Sequence, residues 1–123
     1  MRFPLAILGI SLSTACATVP DDRTLSYGCG DTVVLGTVAD NVFGPAGSTG
    51  NLLGNGWISG TLHVREVIKG ENLPAIVPVS YFAHSALQRD DELMLVLKHT
   101  ARGYEIQTGQ FTREQPVLAS RCV

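Results

Sequence analysis

The sequence predicts an all-β domain, a five-stranded barrel with one short helix between its third and fourth strands. Three observations carry that expectation. Five stretches of eight to twelve residues are rich in Val, Ile, Leu and aromatic side chains and are divided by glycine-containing or charged turns, as strands require. Two cysteines, Cys29 and Cys122, bracket those stretches, as they would in a small exported domain closed by a disulfide. The chain has 123 residues with 45% hydrophobic and 16% charged side chains, enough apolar content for one packed domain and too much for a disordered chain.

Residues 1–17 precede the barrel and have the anatomy of an export leader. Arg2 supplies a positive start, residues 3–12 are apolar, and Ser13-Thr14-Ala15-Cys16-Ala17 is a small-residue end. The apolar part is about ten residues, well short of the ~20 that a permanent membrane helix needs. Pro4 and Gly9 argue against a buried helix there. Two processing sites compete. Leu12-Ser13-Thr14-Ala15-Cys16 resembles a bacterial lipoprotein box, in which the cysteine is lipid-modified and becomes the new N-terminus; Ser13 departs from it, since the family usually has Leu three residues before the cysteine. Cleavage after Ala15-Cys16-Ala17 would instead discard Cys16 and release a soluble periplasmic protein. Either way the chain is expected on the periplasmic side of a bacterial envelope. With Cys16 lipidated, the absence of Asp after it implies, by the same resemblance, an outer-membrane anchor. Losing Arg2 takes the formal charge from −2 to −3, which lacks the basic excess of a charge-driven nucleic-acid binder. Residues 18–28 are polar and aperiodic and are expected to be a tether.

The domain proper spans residues 29–123. Its first strand is expected over residues 32–41 and is followed by a loop, 43–56, with five glycines. The second strand, 57–68, alternates Ile58, Gly60, Leu62 and Val64 on one face with Trp57, Ser59, Thr61, His63 and Arg65 on the other. Gly60 on the inner face lets so long a strand coil, and Glu66, inward by strict alternation, points to a bulge. The third strand, 75–82, contains Pro78, which lacks a ladder donor and belongs at an edge such as an incompletely closed seam. Residues 83–91 set Ala86 and Leu87 among polar side chains, where a short helix fits. The fourth strand, 92–100, is an almost continuous apolar run and turns through Ala101-Arg102-Gly103 into the fifth, 104–111. That order is the order of an OB-like Greek-key barrel. A Cys29–Cys122 bond would close a loop whose chain-entropy stabilisation is roughly 4 to 5 kcal/mol.

Three stretches, Cys29 to Val38, Leu62 to Gly70 and Asp91 to Val96, resemble the netrin-like, or tissue-inhibitor-of-metalloproteinase-like, OB domain. The resemblance covers about 75 residues and implies the fold. The inhibitory wedge of that family is not implied: it needs a cysteine with a free amine at the N-terminus, and Cys29 is internal, a lipidated Cys16 is blocked, and the family's paired C-x-C is missing.

Catalytic and metal chemistries find no constellation here. His63, His84 and His99 lack the i+2 or i+4 partner of a zinc motif. His84-Ser85 has no G-x-S-x-G elbow, and Asp90-Asp91-Glu92 lacks the spaced oxygens of a calcium loop. Gly44, Gly47, Gly50, Gly54 and Gly56 are followed by no Lys-Ser/Thr and so form no phosphate loop. No enzyme, cofactor or metal is expected. Leu52-Leu53, without an evident core partner, are available to dock on the barrel or on a partner. Trp57, His63 and Arg65 share a strand face and form the candidate ligand platform, since OB-folds bind ligands on that strand's surface. The leading expectation is a non-enzymatic, lipid-anchored envelope domain that binds a protein, peptide or glycan. A structural or assembly accessory without a discrete ligand is the alternative, and a soluble periplasmic enzyme inhibitor comes third.

Overall fold

The structure is a computed structural model that describes residues 23–44, 56–87 and 90–122. The leader, Cys16, and Leu52-Leu53 lie outside the described residues. Seven strands appear in chain order: β1 (Thr24–Tyr27), β2 (Thr32–Phe43), β3 (Gly56–Lys69), β4 (Ile76–Ala83), β5 (Leu93–Thr100), β6 (Gly103–Phe111) and, after a 3-10 turn at Thr112–Glu114, β7 (Val117–Ser120). The five strands read from the sequence are β2 to β6, each within two residues of its expected ends.

Those five close into a barrel in the order β2-β3-β4-β6-β5, with β5 returning to β2. Every neighbouring pair is antiparallel except β4 and β6, which run parallel and share two register pairs, Val79↔Tyr104 and Ser80↔Glu105. β4 is thus one side of a short seam rather than a free edge, and Pro78 sits on it directly before the two paired residues. β1 and β7 form a separate parallel pair, Thr24↔Val117 to Tyr27↔Ser120. Residues 24–27, within the stretch expected as a tether, are therefore ordered strand.

Alternation explains the two cores. Val34, Val38, Ile58, Leu62, Val77, Val79, Tyr81, Leu93, Leu95 and Leu97 fill the barrel. On its outer side Leu25 of β1, with Tyr27 and Leu118, covers Val33 and Val96. The apolar run of β5 follows directly: one set of residues faces the barrel interior and the other lies beneath the β1–β7 pair, so neither face is wet. Cys29 and Cys122 are bonded just beyond the ends of β1 and β7, with Cα atoms 4.7 Å apart.

The helix expected in residues 83–91 is corrected. No helix occurs among the described residues of that stretch. The Leu87 amide donates to the Tyr81 hydroxyl at 2.9 Å and the Leu87 carbonyl accepts from Asn41 Nδ2 at 3.0 Å. Side chains from two strands thus take the main-chain groups that a helix would have paired with each other.

Of the four register irregularities among the described residues of the barrel, two bear on the exposed side chains and the cleft. Asp40 and Asn41 together oppose Gly60, with Asp40 at φ 54, a left-handed conformation that Asp tolerates. A Cβ on Gly60 would lie 2.7 Å from Asn41 Oδ1 and 2.8 Å from Val38 Cγ1, so glycine is what lets the bulge fold inward. The second bulge makes Arg65 the extra residue between Val64, opposite Gly36, and Glu66, opposite Leu35. It turns Glu66 out to solvent, where 59% of its side chain is exposed.

Candidate functional site

The seam between β4 and β6 produces the site. Among the described residues no ladder pair joins these strands beyond Ser80↔Glu105, so Tyr81 to Ala83 and Ile106 to Phe111 separate as they run toward the same end of the barrel. A cleft of about 440 Å³ opens between them. Phe82 and Leu87 form one wall, Ile106 and Phe111 the other, and Leu93 and Leu95 lie at the floor, with Gln107, Thr108, Gln110 and Glu114 along the rim. The surface is apolar within and polar at its border, the arrangement of a small binding groove.

A hydrogen-bonded cluster holds the first wall in place. Tyr81 is buried, and its hydroxyl donates to Asn41 Oδ1 at 2.5 Å while accepting from Leu87 N–H. Asn41 Nδ2 closes the circuit on the Leu87 carbonyl. Burial pushes the Tyr81 phenol above its ordinary pKa, and it stays a neutral donor. The Asp40-Asn41 bulge therefore has a structural consequence at the cleft: it aims Asn41 at the tyrosine that carries Leu87.

The residues expected to form a platform are distributed rather than gathered. Trp57, His63 and Arg65 are all exposed on β3, but His63 is six positions beyond Trp57, about 20 Å along an extended strand. Trp57 meets Phe82 across the β3–β4 ladder, ring centroids 5.7 Å apart and edge-on at 67°. Arg65 turns across β2 and binds Glu92 with two bonds, Nε to Oε2 at 2.7 Å and Nη2 to Oε1 at 2.8 Å. The hydrogen bonds from Arg65 hold the Glu92 carboxyl below its ordinary range, and those to Glu92 raise the guanidinium in turn. Of the three, Trp57 is the one that borders the cleft region, through Phe82. The cleft residues on β6 were not read from the sequence, because the parallel seam joins strands far apart in order and leaves no local mark.

At the other end of the barrel Tyr104 donates to Glu71 Oε2 at 2.6 Å and stacks on His99 at 4.3 Å between centroids. Among the described residues no three His, Cys, Asp or Glu side chains are grouped so as to hold a metal ion. No helix among them is long and apolar enough to cross a membrane. Against known proteins the chain stands apart: no family model, curated protein or solved structure matches it.

Proposed function

We propose that the chain is a non-enzymatic, lipid-anchored domain of the bacterial cell envelope whose OB-like barrel holds an extended apolar peptide segment of a partner protein between β4 and β6. The observation that carries this reading is the cleft itself, where two strands stop pairing with each other over an apolar floor. An extended peptide entering there can add main-chain hydrogen bonds to a strand edge while alternate side chains fill the groove. The apolar lining favours a peptide over a glycan, whose hydroxyls would need more polar partners. The OB-like reading is supported by the strand order and the parallel β4–β6 contact, and the anchor by the lipobox-like end at Cys16.

The test is a peptide array of nine-residue segments with alternating apolar side chains, with Kd measured for the mature chain. Phe82→Ser at the wall and Thr108→Arg at the rim are expected to weaken binding at least tenfold, and His63→Ala, farther along β3, to leave it unchanged. Equal binding by all three variants would remove the cleft as the site.

A further inference from the structure

A second surface lies at the end of the barrel onto which the cleft opens. Val42, Phe43, Trp57 and Phe82 are large apolar side chains with 64, 57, 40 and 52% of their surface exposed. The register puts them at one end of the β2–β3–β4 ladder: Val42, opposite Ser59, shares the outward face of Trp57 and its partner Phe82, and Phe43, opposite Ile58, is at the same end on the other face. An apolar group of this kind at one pole of a small domain marks a contact surface.

The point at which the chain enters the barrel identifies what the surface touches. The Arg23 carbonyl accepts from the Val117 amide, and β1 runs from there to the disulfide, so the described chain begins on the side of β1 away from the disulfide. Only seven residue steps separate Cys16 from Arg23, a reach of at most about 25 Å even when fully extended. A domain of this size is about 30 Å across. A lipid on Cys16 therefore holds the domain within that reach of the bilayer, where an exposed apolar end can seat on it.

We infer that the barrel seats its Val42-Phe43-Trp57-Phe82 end on the surface of the membrane that holds its lipid, with the Trp57 ring at headgroup depth. This rests on the proposed anchor at Cys16. The contact is apolar rather than electrostatic: its four side chains carry no charge, and Arg65 and Arg113 are already paired with Glu92 and Asp91. Aromatic rings with an apolar body and a polar edge prefer this interfacial depth. The seating also places the cleft mouth beside the bilayer, since Phe82 belongs to both surfaces.

Trp57 is the sole tryptophan in the chain, so its fluorescence reports this contact without labelling. The lipid-modified protein is reconstituted into phosphatidylcholine vesicles with and without brominated acyl chains, and the vesicles are floated. Co-flotation with a blue-shifted Trp57 emission, quenched at least twofold by brominated lipid and unchanged in high salt, is the expected result. A Val42→Ser/Phe43→Ser variant should still float while losing most of that quenching. Flotation with Trp57 emission as in water and open to iodide overturns the seating and leaves the anchor standing. Trp57 shielded from iodide yet not quenched by brominated lipid overturns it in favour of self-association. Failure to float removes the anchor and the seating together.

Discussion

Breaking the Cys29–Cys122 bond is the sharpest probe of how the barrel is held, and its effect can be worked out from the fold. The two cysteines are 93 positions apart, so the bond closes nearly the whole domain into one loop. Loop-closure entropy for that length gives about 4.7 kcal/mol, roughly three orders of magnitude in the folded-to-unfolded ratio. A small domain has about 5 to 15 kcal/mol in total, so the reduced chain should fold only marginally. In the native state the same ends are already held by the four β1–β7 register pairs and by the packing of Leu25 on Val33 and Val96. The loss should therefore fall on the unfolded ensemble and leave the folded spectrum of Cys29→Ser/Cys122→Ser unchanged. With a urea m-value of about 1.5 to 2 kcal/mol/M, the midpoint should drop by about 2 to 3 M, read by Trp57 fluorescence and by circular dichroism. A shift below about 0.5 M would refute the reasoning, because it would mean that the unfolded chain gains almost no freedom when the loop is opened.

Two further perturbations test the wall of the cleft and the ion pair beside it. Tyr81→Phe removes the hydroxyl shared by Asn41 and the Leu87 amide, leaving a main-chain donor without its partner; a loss of about 1–3 kcal/mol in urea unfolding and faster amide exchange at Leu87 are expected. Glu92 has its pKa lowered in the folded state, chiefly by its hydrogen bonds from Arg65, so its stabilisation is complete above the ordinary value of 4.5 and is lost as pH falls through the lowered one. Wild-type urea midpoints should therefore decline more steeply than those of Glu92→Gln as the pH is taken below 4.5, and parallel declines would show that the pair contributes nothing measurable.

What the sequence makes legible here is what its local period controls. β3 alternates as expected as far as His63, because each inward residue meets the barrel core. The alternation then breaks at the bulge that makes Arg65 an extra residue and sends it toward Glu92. β5 is ambiguous by period since both its faces are covered, one by the barrel and one by β1, and a strand without a wet face has no alternation to read. β1 and β7 escape notice for a different reason: each has four residues, and its partner lies at the opposite end of the chain. The cleft is the least legible feature. Tyr81, Phe82 and Ile106 look like ordinary strand residues, and nothing nearby in sequence records that β4 and β6 pair at two positions and then part. Asp40-Asn41 did carry a usable signal, two turn-forming residues ending an apolar strand that faces a strand with Gly60 at its centre.

The two ends of the barrel divide the work between them. Around the turn after β3, Glu71 receives Tyr104, His99 stacks on that ring, and the disulfide joins the ends of β1 and β7. Those links cross between hairpins and fasten β3, β5, β6 and the ends of β1 and β7 at one pole. The parallel seam is paired next to that pole and unpaired away from it. A seam fastened at one end and parted at the other can admit an extended segment without loosening the whole barrel, because the strands that must tolerate it are held from the far side. The Tyr81–Asn41–Leu87 circuit limits how far the open wall can move, so the proposed groove would be already shaped for a ligand. The same polarity explains why the exposed apolar side chains collect where they do. Val42, Phe43, Trp57 and Phe82 border the open pole, where in the proposed function a bilayer or a bound peptide covers them, whereas Ile76, equally exposed, starts β4 near the closed pole.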